Sequence, residues 1–308
     1  MNKYIVTTTI NPPTKATRLF CEKEDWKFII VGDTKTPHKA YEALENRYSH
    51  VTYLSPKNQE KMYKNLSDTI GWKTVERRNI GYVYAHNQGA DVIATVDDDN
   101  IPYPNWGTHI YVGKTIEIDC YEPENGVFDP LSITRDNYLW HRGYPLELLA
   151  TRKKVTHTGK IKRNVLVQAD LWDGDPDIDA IARLTYRPDV RYSDITSPYC
   201  SNRISPFNSQ NTFLSRKVFP YYAVLPFIGR MEDIWGAYIL QKYFPSSVIY
   251  NCATVYQERN KQDLIKNLED EIIGYRNTYN LLNHLDSYES FLPDATKRFY
   301  ELYKASFV

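Results

Sequence analysis

The stretch Asp91-Val92-Ile93-Ala94-Thr95-Val96-Asp97-Asp98-Asp99-Asn100 sets an apolar, β-branched run directly against three adjacent carboxylates. A run with no polar alternation is what a strand covered on both faces requires, and parallel sheets supply that setting. Adjacent anions at the edge of a low-dielectric core are costly unless a cation neutralises them. Asp97 and Asp99 are two residues apart, so an extended chain points both the same way. Oxygen donors of this kind suit Mg²⁺ or Mn²⁺, which can bridge to a diphosphate. The plainer alternative is an acidic turn, in which Asp98 or Asn100 caps whatever follows.

Upstream, the same rhythm repeats. Tyr4 to Ile10 is a β-branched strand stopped by Asn11-Pro12-Pro13, and Trp26 to Val31 is a second strand closed by Gly32-Asp33. His50 to Leu54 reads as a short third. From Trp72 to Gln88 apolar residues recur at helical spacing, and Gly89 suits the residue just past a helix end. Strands separated by helices predict β-α-β units, with ligand at the carboxyl ends of the strands. The expected fold class is therefore α/β, a Rossmann-like mixed, mostly parallel sheet flanked by helices. Residues 101 to 210 are rich in Pro, Asp and Tyr and read as long loops. Helices are expected over Met231 to Tyr243 and from Asp263 to about Asn280, the second with its charges exposed. Without a Pro- or Gly-rich linker, the chain divides into one domain over 1–260 and a C-terminal helical extension over 261–308.

The 308 residues carry 38 Lys plus Arg against 38 Asp plus Glu, so no overall basic field recruits nucleic acid or anionic membrane. An anionic ligand must be met by local donors. The 26 tyrosines suit a surface that stacks on rings and hydrogen-bonds hydroxyls, and equally a Tyr-rich core. Cys21, Cys120, Cys200 and Cys252 form no C-x-x-C pair and read as reduced thiols of a cytoplasmic protein. No signal-peptide pattern opens the chain and no run of eighteen apolar residues occurs, so contact with a membrane is at most peripheral.

Other positions carry two readings each. Asp33 can accept from a base or ribose, or close a turn on its own backbone. Arg77 and Arg78 can offer planar forks to phosphate, or sit on a solvated helix face. Glu232 and Asp233 open a helix, where the dipole favours negative charge; either can also serve as the base that deprotonates an acceptor hydroxyl. The loop Leu171 to Asp179 gathers four Asp around Gly174 but lacks the spacing of a calcium loop.

With Val31-Gly32-Asp33-Thr34-Lys35-Thr36-Pro37 and Val96 to Asn100 in this order, the chain resembles GT-A glycosyltransferases. The likeness is nearest to plant reversibly glycosylated polypeptides (UDP-arabinopyranose mutases) and the STELLO-type glycosyltransferases. Trp140-His141-Arg142-Gly143-Tyr144-Pro145-Leu146, the Leu171 to Asp179 loop and Asp233-Ile234-Trp235-Gly236 extend it across roughly residues 4 to 275. The resemblance implies a GT-A-like fold with Asp99 as direct metal ligand, Asp97 on metal, its bound water or ribose, and Asp33 at the base. Thr8, Arg77, Arg78, Asp98 and Arg142 join the donor-binding set, and Asp233, with Glu232 beside it, falls where inverting enzymes of this fold place the base. The mutase branch carries a second arginine seven residues after Arg142; here Leu149 stands there, which argues for transfer over mutation.

The expectation is a Mn²⁺- or Mg²⁺-dependent, inverting transferase that moves sugar from a nucleotide sugar, UDP-linked first, to a glycan or lipid-linked hydroxyl. A nucleotide-sugar mutase and a non-catalytic scaffold of a glycan-synthesis complex are the alternatives.

Overall fold

The computed structural model describes residues 1–259 and 262–307. In chain order the elements are β1 (Lys3–Thr9), α1 (Lys15–Cys21), β2 (Lys27–Gly32), α2 (His38–Arg47), β3 (Val51–Leu54), α3 (Pro56–Ile70), α4 (Arg78–Asn87), β4 (Val92–Val96) and β5 (Asn100–Pro102). There follow β6 (Thr115–Pro123), β7 (Val155–Asn164), β8 (Val167–Gly174), α5 (Ala180–Tyr186), β9 (Tyr199–Cys200), β10 (Asn211–Ser215), α6 (Glu232–Tyr243), β11 (Val248–Gln257), α7 (Leu264–Asn283) and α8 (Asp294–Ala305).

These strands make one mixed sheet in the order β3-β2-β1-β4-β10-β8-β11-β9-β6-β7, with β5 paired to β11. The four strands β3, β2, β1 and β4 run parallel, and β10 enters antiparallel beside β4. Alternation along β1 and β2 buries both faces. Val6, Ile29 and Val31 join the layer of α3, α4, α6 and α8, while Ile5, Phe28 and Ile30 join that of Trp26, Trp106, α1 and α2. The α/β fold class expected from the strand-helix rhythm is what forms.

Three differences from the sequence reading have physical causes. The 72–88 helix starts late: Val75–Arg77 is a 3₁₀ turn and α4 begins at Arg78. Lys73, with φ 65°, breaks the approach. The middle region keeps its long loops, but between them β6 and β7 pair as a long antiparallel ribbon at the sheet edge. Its Lys-rich, exposed β7 looked unstructured because edge strands are kept charged against mispairing. Finally, the tyrosines serve the core more than the surface. Tyr303 donates to the carbonyls of Phe219 (2.9 Å) and Tyr222 (2.7 Å), and Tyr300 to that of Tyr221 (2.9 Å).

Those bonds tie α8 to the loop that leads into α6. The boundary between 1–260 and 261–308 lies outside the described residues, but α7 packs at the start of α6: Thr278 accepts from Trp235 Nε1 at 3.0 Å. Nine consecutive residues of α6, Asp233 to Gln241, are buried. Such a helix is placed by packing on all sides rather than by one apolar stripe. Gly236 is the tightest point. A Cβ there would lie 2.1 Å from the carbonyl oxygen of Ala223, which is backbone and cannot rotate away. Gly236→Ala is expected to destabilise the fold by about 1–3 kcal/mol. A urea midpoint unchanged from the parent would contradict this packing.

Candidate active site

The three carboxylates sit at the carboxyl end of β4, but not on extended chain. Asn100 N donates to the Asp97 carbonyl (3.2 Å) and Asp97 N to Asn100 Oδ1 (2.8 Å), which closes a turn between β4 and β5. The expectation that Asp97 and Asp99 share a strand face is therefore corrected. The turn gives the three side chains different partners. Asp97 Oδ1 pairs with the buried Arg78. Asp98 turns inward and accepts from the Thr9 hydroxyl and from Asn11 Nδ2 (3.0 Å). Asp99 Oδ1 accepts from Gln257 Nε2 (3.0 Å), and Gln257 is itself held by Asn100 (2.7 Å).

Asp98 thus fastens the β1–α1 loop, which is a structural duty, although its edge still reaches the cavity described below. Burial raises its pKa above the usual carboxylate value. Asp99 is pushed up to about 7, first by burial and then by the nearby charge of Asp97, while Arg259 pulls the other way.

Two cavities flank the turn. One of about 230 Å³ is lined by Thr8, Thr9, Ile10, Asn11, Lys35, Lys73, Thr74, Val75 and Asp98. The other, about 390 Å³, lies between Asp98, Asp99, Thr14, Lys15, Glu258 and Arg259. Thr8 lines the first, with its hydroxyl donating to the Val31 carbonyl at 2.9 Å. Lys35 and Lys73 are cations at this cavity that pattern reading did not single out; isolated exposed lysines leave no local signature.

Asp33 stands behind that wall, 1% exposed. Its Oδ1 accepts from the amide and hydroxyl of Thr34, and its Oδ2 from the amides of Lys73 (2.7 Å) and Thr74 (3.2 Å). All four lone-pair positions are taken, so Asp33 shapes the loop over the cavity and has none left for a base; the direct contact expected of it is corrected. Arg77 is likewise corrected. It is buried, bonded to Gln59 (2.9 Å), Ser67 Oγ (3.0 Å) and the Gly71 carbonyl (3.1 Å), and packed over Trp72. It is neither on a solvated face nor free for phosphate.

Arg78 faces the site but spends its charge on the protein. Besides Asp97, it donates to the carbonyl (2.8 Å) and hydroxyl (2.7 Å) of Ser209. Ser209 in turn donates to Asp233 Oδ2 from its amide (2.9 Å) and hydroxyl (3.0 Å). Asp233 Oδ1 accepts from Arg142 (2.9 Å), and Arg142 grips Asp177 through Nε and Nη2 at 2.8–3.0 Å while reaching the Arg230 carbonyl. Burial alone would raise the Asp177 carboxyl, but Arg142 outweighs it and holds it far below the usual range. Arg142 is 3% exposed, and its Nε and Nη2 are given to Asp177 and Asp233, so it works here as an internal clamp. The acidic loop divides similarly: Asp175 faces Arg183 and Arg259, Asp173 accepts from Tyr103 (2.8 Å) and Tyr192 N (2.9 Å), and Asp179 caps α5.

Glu232 differs from Asp233. Its Oε2 is buried without a donor among the described residues, and burial, with Asp233 second, pushes it up to about 8. A carboxyl poised near neutrality is the better proton acceptor.

Among the described residues no three His, Cys, Asp or Glu converge as a complete metal cage. Mg²⁺ and Mn²⁺ do not need one, since they commonly take one or two carboxylates and complete their shell with phosphate and water. The under-compensated Asp99, with the second oxygen of Asp97, fits that donor set.

No family model matches the chain. It is similar to two curated Arabidopsis thaliana proteins, the probable glycosyltransferases STELLO2 (23% identical over 236 residues) and STELLO1 (23% over 235). Each match covers 70% of this chain and 30% of the relative, so the chain spans less than a third of their length. Among solved structures, glucosyl-3-phosphoglycerate synthase from Mycobacterium tuberculosis, in complex with Mn²⁺, UDP and phosphoglyceric acid, overlays with TM-score 0.49 and 10% identity, covering 90% of this chain and 78% of that one. No described helix is long and apolar enough to cross a membrane.

Two outcomes test the geometry. Arg142→Ala strands Asp177 and should cost about 3–5 kcal/mol, read by denaturant unfolding. A raised folded pKa at Asp99 means the native state holds a proton that the unfolded chain gives up. Stability is then lost as pH rises from about 4 to about 7. Asp99→Asn should raise the metal-free melting temperature near pH 8 and flatten its pH dependence; an unchanged profile would contradict the assignment.

Proposed function

We propose that this chain is a GT-A-like, metal-dependent glycosyltransferase that moves a sugar from a nucleoside-diphosphate sugar to a hydroxyl acceptor. The observation that carries the reading is the partly neutralised Asp99 at a strand end, lining one of the two cavities that flank its turn, with a Glu232 Oε2 that has no donor among the described residues at the start of a buried helix. The similarity to the STELLO proteins supports the same class.

In this proposal the nucleotide occupies the cavity walled by Thr8, Asn11, Lys73 and Thr74, and its diphosphate lies toward Asp97 and Asp99. Asp97 and Asp99 would hold Mn²⁺ or Mg²⁺, which would supply charge neutralisation for the departing diphosphate. Glu232 Oε2 takes the proton of the acceptor hydroxyl. That oxygen forms a bond to the anomeric carbon as the bond from this carbon to the diphosphate oxygen breaks, and the nucleoside diphosphate departs. Attack from the α6 side, opposite the leaving group, inverts the anomeric centre. Asp233, committed to Arg142 and Ser209, positions Glu232 rather than acting as the base itself. A glycan or lipid-linked acceptor fits this scheme. A cytoplasmic setting is proposed on the four free thiols.

Incubation with a panel of UDP- and GDP-sugars, Mn²⁺ and acceptors should release nucleotide. Glu232→Gln should lower turnover by roughly 10²–10⁴-fold with little change in donor binding. Absence of both turnover and binding across the panel would overturn the proposal.

A further inference from the structure

Among the described residues the buried arginines are Arg77, Arg78, Arg142, Arg152, Arg163 and Arg183. Arg78, Arg142, Arg152 and Arg183 each face a carboxylate, that of Asp97, Asp177, Asp129 and Asp175 in turn. Arg77 has no such partner, but it stacks over Trp72 and lies in the field of Asp33. Arg163 has neither among the described residues, although it is 4% exposed. Its Nη1 donates to the Ser246 carbonyl (2.6 Å). Its Nη2 donates to Asn202 Oδ1 (2.8 Å), the Ser201 carbonyl (3.2 Å) and Cys200 Sγ (3.3 Å). Its Nε has no acceptor among the described residues. Burial pushes the Cys200 thiol up to about 11 against the pull of Arg163, so the sulfur stays protonated near neutral pH. Every acceptor is therefore neutral. A buried charge with no counter-ion is costly, and native folds pair such groups or offer them to a ligand.

The same residue lines a cavity of about 300 Å³. Lys162, Arg163 and Asn164 of β7 form one side, and Tyr243 to Ser247, just past α6, form the other. The bond from Nη1 to Ser246 carries the guanidinium from the first side to the second. Lys162 is exposed, and Asn164, two residues on, shares its face of the strand. No Asp or Glu lines this cavity. The cavities at the acidic turn hold Asp98, Asp99 and Glu258, and those beside α5 hold Asp175 or Asp263. Two cations without a carboxylate make a place for an anion. It sits at the far end of the 12-residue α6 from Glu232, roughly 18 Å away at the rise of a helix.

We propose that this cavity is a second binding site, for a phosphate group, with the buried Arg163 and the exposed Lys162 as its counter-charges and Asn164 beside them. A phosphate or phosphate monoester carries close to two negative charges at neutral pH, which matches two cations; a carboxylate brings one. Free phosphate and a soluble monoester offer the same chemistry. The site lies apart from the strand-end carboxylates and stands whether or not the transferase reading does.

The test is calorimetric titration, at constant ionic strength and neutral pH, of inorganic phosphate, glycerol 3-phosphate and acetate into the parent chain. The same titrations are made on Lys162→Ala, Arg163→Gln and, as a control at the nucleotide cavity, Lys35→Ala. The parent should bind one or both phosphates at least roughly tenfold tighter than acetate, and the tighter of the two identifies free ion or ester. Lys162→Ala should weaken that binding by roughly tenfold and Arg163→Gln should abolish it, while Lys35→Ala leaves it unchanged. Phosphate that binds no better than acetate overturns the inference. So does phosphate binding that is lost with Lys35→Ala and kept with Lys162→Ala. Lys162 is exposed, so its replacement decides the matter even if Arg163→Gln does not fold.

Discussion

The structure depends on Arg78, a guanidinium sealed between the sheet and the first turn of α4. It neutralises Asp97 from inside the protein and binds Ser209, and through Ser209 it fixes Asp233 at the start of α6. Arg142 continues the chain of charges to Asp177. A buried ion pair is weak evidence of stability, because desolvation offsets much of the Coulomb gain. Here its consequence is placement: one hydrogen-bonded path sets the strand-end carboxylates and the helix that would carry the base in fixed relation.

That path also sorts the acidic residues into two kinds. Asp33, Asp177 and Asp233 have both oxygens taken by protein donors and behave as internal ties, whereas Asp98 has one oxygen held in this way. Asp99 and Glu232 are left short of donors and are pushed toward neutral pKa values by burial. Groups short of partners are where a ligand has something to add, whereas satisfied ones have only structure to lose. On the proposed reading this distinction, more than position along the chain, separates reacting residues from positioning ones.

The parallel strands were legible in the sequence because β1, β2 and β4 are covered on both faces, β2 and β4 reading as apolar runs and β1 as a β-branched one. The acidic turn was legible because charge placed straight after such a run is rare. Less legible was what each charge does. Arg77 and Arg78 are neighbours of identical type, yet one is enclosed by Gln59 and Ser67 and the other reaches Asp97 and Ser209. Those contacts span up to 131 residues of chain, and no local periodicity records them. Arg142, singled out by family resemblance, proved a clamp for the same reason: its partners Asp177 and Asp233 arrive from distant elements.

The claim that the strand-end carboxylates share a divalent cation with a diphosphate is tested most directly by Mn²⁺ titration followed by electron paramagnetic resonance, with and without UDP. Reciprocal coupling requires that UDP tighten Mn²⁺ binding, by roughly tenfold or more, and that Asp99→Asn remove the gain. Mn²⁺ affinity that is the same with and without UDP, or indifferent to Asp99→Asn, would contradict the account.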